Sequence, residues 1–271
     1  MPKSYNQQGR SLHISQNFLT SKKTIKQLLK LTNINKHDHV IEIGAGKGHI
    51  TKELTQKSRK VTAIEIDNRL FLLLKTKIGN IPNLKLFNID FLKMRLPTDE
   101  SYKVFSNIPF SITTDIMHKL MEAYNPPSES WLIMEKGAAK RFSGKPNETL
   151  NSLRLKPFFN LKVLYYFRKD DFHPIPAVDI VLLHIKQKHI PDLPFSEYRQ
   201  FNNFITHAYK YGLKSLLTKK QIATALRRSG LPQIEYSGTM LYVQWLCLFR
   251  CWMRFQNNIP REAKGKLTIL R

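Results

Sequence analysis

The chain has 271 residues, 42% of them hydrophobic and 11% aromatic, which is enough for one folded core and a smaller second domain. Lys and Arg number 44 against 20 Asp and Glu, and the net charge of +24 favours a polyanionic partner, with nucleic acid first and an anionic membrane surface as the alternative. We expect a cytoplasmic protein, because the chain lacks a run of ~18–20 apolar residues, a signal-like N-terminus and enough cysteines for a disulfide framework.

Strand-like and helix-like segments alternate over about the first 180 residues. Apolar residues at helical spacing follow Ser21, a predicted N-cap, and a β-rich run at 40–43 then stops at Gly44. Further strands are predicted at 61–64, 84–89, 104–108 and 131–134, with helices between them. The alternation predicts an α/β fold with a doubly wound, mostly parallel, Rossmann-like sheet, and the closing strands at 163–167 and 178–185 predict an antiparallel hairpin at one edge.

The pattern changes after Ile185. A polar linker broken by prolines, 186–194, leads into segments whose apolar spacing is helical throughout. The last 91 residues carry 15 Lys and Arg against four acidic residues, so positive charge is denser there than in the rest of the chain. We predict an α/β domain over 1–185 and a small, basic, α-helical domain over 186–271.

Glycines mark the turn from the predicted first strand into the first helix. Gly44 and Gly46, with Gly48 after them, allow the backbone to approach a ligand closely. Glu65 ends the second strand 21 positions after Gly44, where an acidic residue can accept both hydroxyls of a ribose. The combination predicts a site for a nicotinamide dinucleotide or for S-adenosylmethionine, although the Gly-x-Gly-x-Gly spacing disfavours pyrophosphate binding.

Asp90 closes the predicted third strand. Its carboxylate can accept a hydrogen bond from the exocyclic amine of a cofactor adenine, with Ile66 and Ile89 as apolar walls. The alternative is an aspartate that caps a helix or turn.

The end of the fourth strand carries the most specific pattern. Asn107 offers a side-chain carbonyl, and Pro109 fixes the turn so that the Ile108 carbonyl can face a substrate. Phe110 adds a ring on which a base can stack. Two convergent hydrogen-bond acceptors and an aromatic ring suit the binding of a planar base with an exocyclic amine. The alternative is a purely structural role, in which the proline forms a turn and the phenylalanine packs in the core.

These motifs, in this order, resemble the Erm-type rRNA adenine-N6 methyltransferases, which confer macrolide–lincosamide–streptogramin B resistance and are related to the small-subunit rRNA dimethyladenosine transferases. The resemblance extends from about Ser15 to about residue 250 and rests on the segments 15–19, 42–48, 63–67, 89–90, 107–115 and 172–178. It implies S-adenosylmethionine as the cofactor, with contacts at Asn17, Leu19, Gly44, Glu65, Asp90 and Asn107.

The resemblance also implies that residues 107–110 bind the target adenine and that Phe172 covers its other face. Many relatives have Tyr at the position of Phe110; stacking survives this difference, but any role of a hydroxyl does not. The implied reaction is methyl transfer to the N6 of an adenine in the peptidyl-transferase loop of 23S rRNA. The alternatives are a housekeeping small-subunit rRNA dimethyltransferase and, from another class, a non-catalytic RNA-binding assembly or transcription factor.

Two groups of basic residues are candidates for contacts with RNA phosphates. They are Lys136, Lys140 and Arg141 in the α/β domain and Lys210, Lys214, Lys219, Lys220, Arg227 and Arg228 in the helical domain. The alternative is a solvated basic surface. We expect a monomer that acts on protein-free or immature 23S rRNA, without a membrane partner. No metal is expected, since His37 and His39 have no third ligand nearby in sequence and are predicted to lie in a surface loop.

Overall fold

The computed structural model describes residues 17–234 and 240–258, with side chains up to residue 256. The strands are β1 (Phe18–Leu19), β2 (His39–Ile43), β3 (Lys60–Ile64), β4 (Leu84–Phe87), β5 (Lys103–Asn107), β6 (Glu129–Glu135), β7 (Phe159–Tyr166), β8 (Phe172–His173) and β9 (Ile180–Gln187). The helices are α1 (Lys22–Lys30), α2 (His49–Lys57), α3 (Asn68–Ile78), α4 (Thr113–Met121), α5 (Lys136–Ser143), α6 (Leu150–Leu155), α7 (Tyr198–Tyr211), α8 (Lys219–Arg228) and α9 (Tyr242–Asn258).

Seven strands form one sheet in the order β4-β3-β2-β5-β6-β9-β7. The pairs β2 with β3, β3 with β4, β2 with β5, and β5 with β6 are all parallel. All five residues of β2 are buried, as expected of a central parallel strand that is covered on both faces. The chain moves outward from β2 to β4 and then returns to place β5 on the other side of β2, so the order reverses between β2 and β5. The predicted doubly wound α/β fold is confirmed.

The edge of the sheet contains the predicted hairpin. The Phe167 amide donates to the Ile180 carbonyl at 3.0 Å, and the Lys188 amide donates to the Phe158 carbonyl at 2.7 Å. Because these bonds join the end of one strand to the start of the other, β7 and β9 run antiparallel.

A second, two-stranded sheet was not predicted from the sequence. Antiparallel pairing of β1 with β8 places Phe18 opposite His173 and Leu19 opposite Phe172. The predicted N-cap follows β1: the Ser21 hydroxyl accepts a hydrogen bond from the Thr24 amide at 3.2 Å.

The chain forms two compact units whose limits differ from the predicted domains. Of the described residues, the first contains 17–136 together with 163–184, and the second contains 137–162 together with 185–234 and 240–258. The prediction had placed 137–162 in the α/β domain. This segment groups with the helical unit because Leu153 of α6 is fully buried in the core that α7 and α9 form.

Aromatic side chains dominate the core of the helical unit. Phe201 and Phe204 of α7 pack against Phe249 of α9 with ring centroids 5.2 and 5.7 Å apart, and Phe204 also contacts Trp245. Along 17–234 and 240–258, no helix is long and apolar enough to cross a membrane.

The predicted surface position of His39 is wrong. This residue begins β2, and its buried ring lies 2.8 Å from the Thr62 hydroxyl and 2.9 Å from a Glu100 carboxylate oxygen. The strand extends one residue further towards the N-terminus than the apolar run, so His39 belongs to a buried central strand, opposite Lys60 of β3. Burial, together with the nearby charge of Lys60, lowers the pKa of His39.

Candidate active site

The predicted site residues follow the carboxyl ends of neighbouring strands. Gly44 follows β2, Glu65 follows β3, Asp90 comes three residues after β4, and Asn107 ends β5. Because these strands are parallel, their carboxyl ends share one edge of the sheet. The site therefore lies where ligands bind in doubly wound folds, at the reversal of strand order between β2 and β5.

The glycine loop has a backbone that other residues adopt with difficulty. Gly44 and Gly46 have φ angles of +72° and +56°, in the left-handed region. The amides of Gly44 and Ala45 both donate to the Ile64 carbonyl, at 2.8 and 3.0 Å. A Cβ atom on Gly46 would lie 2.9 Å from the Phe18 ring, whereas one on Gly44 would lie 3.8 Å from Pro109. The loop is thus packed between β1 and the segment that follows β5.

Glu65 has a structural role that the sequence analysis missed. Its side chain is only 2% exposed. One carboxylate oxygen accepts from the Gly46 amide at 2.7 Å, and the other accepts from the Asp67 amide at 2.9 Å. The carboxylate therefore holds the glycine loop against the end of β3. Each oxygen can accept a further hydrogen bond, so this role is compatible with binding of a ribose.

A second buried carboxyl lies beneath the same loop. Glu42 is fully buried in β2. Burial raises the pKa of Glu42 to about 8; the Thr51 hydroxyl opposes the increase, and the charge of Glu65 adds to it. Near neutral pH, Glu42 is therefore mostly protonated.

Asp90 caps a turn, as the alternative prediction had it. One carboxylate oxygen accepts from the Leu92 amide at 2.9 Å at the start of a short 3-10 turn. No described residue donates to the other oxygen, so it can accept from a ligand. Ile66 and Ile89 are 47% and 37% exposed, unusually open for isoleucine, and both follow strands that end at the site edge.

The orientation of the Asn107 amide is defined by a hydrogen bond. Its Nδ2 donates to the backbone carbonyl of Asn17 at 2.8 Å. The side-chain oxygen Oδ1 is consequently directed away from Asn17, and no residue in the described part of the chain donates to it. The Ile108 amide donates to the Ile133 carbonyl at 3.2 Å, whereas the Ile108 carbonyl accepts no hydrogen bond from any described residue.

The two aromatic candidates differ in accessibility. Phe110 is half-buried and packs against the core of the first unit. Phe172 is 3% exposed, and its ring lies 5.1 Å from that of Phe167. Through β8 it pairs with Leu19, two residues after Asn17, so β1 links it to Asn107. In this structure Phe172 presents little of its face to a base.

The predicted phosphate-binding residues are divided between the two compact units. Lys136 is half-buried and lies 3.0 Å from Asp179, which offsets its charge. Lys140 and Arg141 are exposed on α5 and belong to the second unit. The ammonium of Lys210 lies 4.9 Å from the centre of the Tyr211 ring. Across the described ranges, no cluster of three or more His, Cys, Asp or Glu residues has the arrangement of a metal site.

Comparison with known proteins shows the family. Residues 8–237 match the ribosomal RNA adenine dimethylase family. The chain belongs to this family. Its members are methyltransferases of the S-adenosylmethionine-dependent type that act on adenine in ribosomal RNA, so the resemblance stated from the sequence motifs is confirmed.

Two relatives and two solved structures illustrate the similarity. The rRNA adenine N-6-methyltransferases of Limosilactobacillus reuteri and Staphylococcus aureus are 35% and 37% identical to this family member over 241 residues, which cover 89% of this chain and 96% of each relative. The 23S rRNA methyltransferase ErmE superposes with a TM-score of 0.78 at 24% identity, covering 88% of this chain and all of ErmE. A dimethyladenosine transferase from Plasmodium falciparum gives 0.64 at 20% identity, covering 81% of this chain and 84% of its own.

Proposed function

We propose that this chain transfers one or two methyl groups from S-adenosylmethionine to the N6 of an adenine in the peptidyl-transferase loop of 23S rRNA, and thereby gives macrolide–lincosamide–streptogramin B resistance. The proposed chemistry rests on one observation. Two oxygens beside the glycine loop, Asn107 Oδ1 and the Ile108 carbonyl, accept no hydrogen bond from any described residue. The motif resemblance to the Erm branch and the fold shared with ErmE, a 23S rRNA methyltransferase, support the choice of target.

The residues around the glycine loop fit S-adenosylmethionine. The loop packs closely around Gly44 and Gly46, and the two Glu65 oxygens retain capacity for ribose hydroxyls. The second oxygen of Asp90 is open to an adenine amine, and the exposed side chains of Ile66 and Ile89 provide apolar contact. When bound there, the cofactor supplies a methyl group already activated on a sulfonium.

The residues after β5 position the target amine. The nitrogen of an adenine amine is a weak nucleophile because its lone pair is delocalised into the ring. In our proposal Asn107 Oδ1 and the Ile108 carbonyl each accept one of its N–H bonds, which favours a pyramidal nitrogen with a localised lone pair. Phe110 stacks on the base. Catalysis then comes from positioning and electrostatic complementarity, without a general acid or base, and the proton that the methylated nitrogen loses goes to solvent water.

The target adenine must leave its stack to reach these acceptors. Unstacking costs a few kcal/mol and less in a single-stranded loop, which favours an exposed loop of protein-free or immature rRNA.

We also propose that the enzyme works as a cytoplasmic monomer.

Methyl transfer to purified substrates tests this proposal. The full chain and labelled S-adenosylmethionine are incubated with protein-free 23S rRNA, protein-free 16S rRNA and mature large subunits. We expect labelling of 23S rRNA alone, at a single adenine. The fold shared with the Plasmodium dimethyladenosine transferase makes a small-subunit target the second candidate, and labelling confined to 16S rRNA would establish it.

A further inference from the structure

Helices α8 and α9 frame a groove in the second unit that the sequence analysis did not anticipate. The cavity has a volume of about 750 Å³, within the ~300–1,000 Å³ typical of ligand sites. Leu231, Val243 and Leu246 contribute apolar surface, and Phe255 of α9 lies at the groove with 41% of its surface exposed. An exposed aromatic ring beside apolar side chains offers contact area to a planar ligand.

The charged residues that line this groove in the described part of the chain are all cationic. Lys220 and Arg228 reach it from α8, and Arg250 and Arg254 reach it from α9. All four side chains are exposed, and none forms a salt bridge within 17–234 and 240–258. Arg250 donates to the backbone carbonyl of Asp192 at 3.0 Å, which orients the guanidinium without neutralising it. Among the described residues that line the groove, none is Asp or Glu.

We propose that this α8–α9 groove binds a single-stranded segment of the rRNA substrate, with phosphates at the four cations and a base against Phe255. Cationic side chains interleaved with an aromatic ring are the pattern of sequence-tolerant single-strand binding. An A-form duplex hides its base faces and would leave Phe255 without a stacking partner. The proposal rests on the proposed action on rRNA and adds a second contact site for that substrate.

The chain's own C-terminal residues are a poor alternative occupant. Residues 259–271, which lie outside the described part, contain four Lys or Arg and one Glu. Their charge has the same sign as that of the groove. Arg261, Lys264 and Lys266 belong to this segment, which lies beyond the part of the chain that the family resemblance covers.

Neighbouring residues on α8 provide a matched control. Lys220 and Arg228 line the groove, whereas Lys219 and Arg227, one position earlier on the same helix, do not. The double variants K220Q/R228Q and K219Q/R227Q remove the same charge from equivalent ends of α8, so they differ only in the surface from which it is lost.

Binding of an RNA hairpin that contains the peptidyl-transferase loop, measured with the full chain over a range of salt concentrations, distinguishes the two variants. We expect K220Q/R228Q to flatten the log–log salt dependence by about 1.4, since each phosphate contact with a single strand contributes roughly 0.7. K219Q/R227Q should change it much less, a result that would remove Lys219 and Arg227 from the phosphate contacts predicted from the sequence. Phe255→Ala should raise Kd roughly five- to hundred-fold, and Phe255→Tyr should restore binding.

The rate at which the cysteine thiols are alkylated tests the proposal on the chain without any substitution. Cys247 and Cys251 are the only two cysteines, and both line the groove. We expect saturating hairpin to slow their alkylation by N-ethylmaleimide severalfold. Unchanged alkylation at saturation, or equal losses of affinity in the two double variants, would overturn the proposal. If the hairpin protects the thiols but is never methylated, the 23S target is wrong and the groove assignment stands.

Discussion

Asn107 combines a donor that holds it in place with an acceptor that is open to substrate. We therefore expect Asn107→Ala to reduce kcat by about 10²–10³-fold, the range observed when a positioned hydrogen-bonding group is removed from a catalytic site. Loss of the bond to Asn17 should cost only about 0.5–1.5 kcal/mol of folding free energy. Single-turnover methyl transfer and thermal unfolding measure the two effects. Retention of most activity would exclude the amine-positioning mechanism.

Glu65 combines a proposed contact with the cofactor with a structural role. Glu65→Ala should weaken S-adenosylmethionine binding by about 1–3 kcal/mol, because hydroxyls of the ligand lose their acceptor. It should also lower stability, since the amides of Gly46 and Asp67 lose their partner. Isothermal calorimetry measures the first effect and urea unfolding the second. Tighter binding of a nicotinamide dinucleotide than of S-adenosylmethionine by the native chain would contradict the cofactor assignment.

The raised pKa of Glu42 should make the stability of the fold depend on pH. Its pKa is about 8 in the folded chain against a usual value of 4.5, so the folded state retains a proton that the unfolded state has lost between these values. Stability therefore decreases as pH rises from about 4.5 to about 8, by at most about 1.4 kcal/mol per pH unit. Glu42→Gln should remove this component. If the free energy of unfolding in urea depends on pH in the same way for the native chain and for Glu42→Gln, the raised pKa of Glu42 is contradicted.

At the scale of elements, α8 begins with a reciprocal cap. The Thr218 hydroxyl accepts from the Gln221 amide at 3.3 Å, and the Gln221 side chain accepts from the Thr218 amide at 2.8 Å. Thr218→Ala should lower the free energy of unfolding by about 0.5–2 kcal/mol, whereas Thr218→Ser should retain the cap. Fluorescence of Trp245 and Trp252, which pack in the same unit, reports the transition. Equal stability of the two variants would show that the cap contributes little.

Elements with a strong local pattern could be predicted from the sequence. Strands β2, β3, β5 and β6 contain buried apolar runs, and their parallel pairing follows from their alternation with helices. The pair β1–β8 could not be found in this way, because each strand has two residues and is defined only by its distant partner. The grouping of 137–162 with the helical unit likewise depends on packing of α6, which local periodicity does not encode.

The sequence predicts which residues lie together at the candidate site, but it does not predict their hydrogen bonds. The order of motifs placed Glu65, Asp90 and Asn107 at one edge of the sheet, because parallel strands share their carboxyl ends. The Glu65 contact with the glycine loop and the Asn107 contact with Asn17 depend on side-chain orientation. The α8–α9 groove was missed for a related reason: Arg250 and Arg254 are far from Lys220 in sequence and meet it only through helix packing.

At the scale of the whole molecule, the choice between ribosomal RNA targets must depend on the charge and shape of the protein surface. In the proposed mechanism either rRNA target would present an adenine amine to the same donor, so the residues around Asn107 would not distinguish 23S from 16S rRNA. Selection requires surfaces that contact RNA shape and single-stranded neighbours. A net charge of +24 supplies affinity for any RNA, and the basic helical unit adds a separate surface on which specificity can depend.

Mapping of N6-methylated adenines across both ribosomal RNAs, by primer extension with mass spectrometry of the same fragments, tests the central claim most directly. Cells that express the native chain are compared with cells that express Asn107→Ala. We predict one modified adenine, in the peptidyl-transferase loop of 23S rRNA, in the first cells and none in the second, together with macrolide resistance in the first alone. New dimethyladenosines in 16S rRNA with unchanged drug sensitivity, or an unmodified 23S loop, would contradict it.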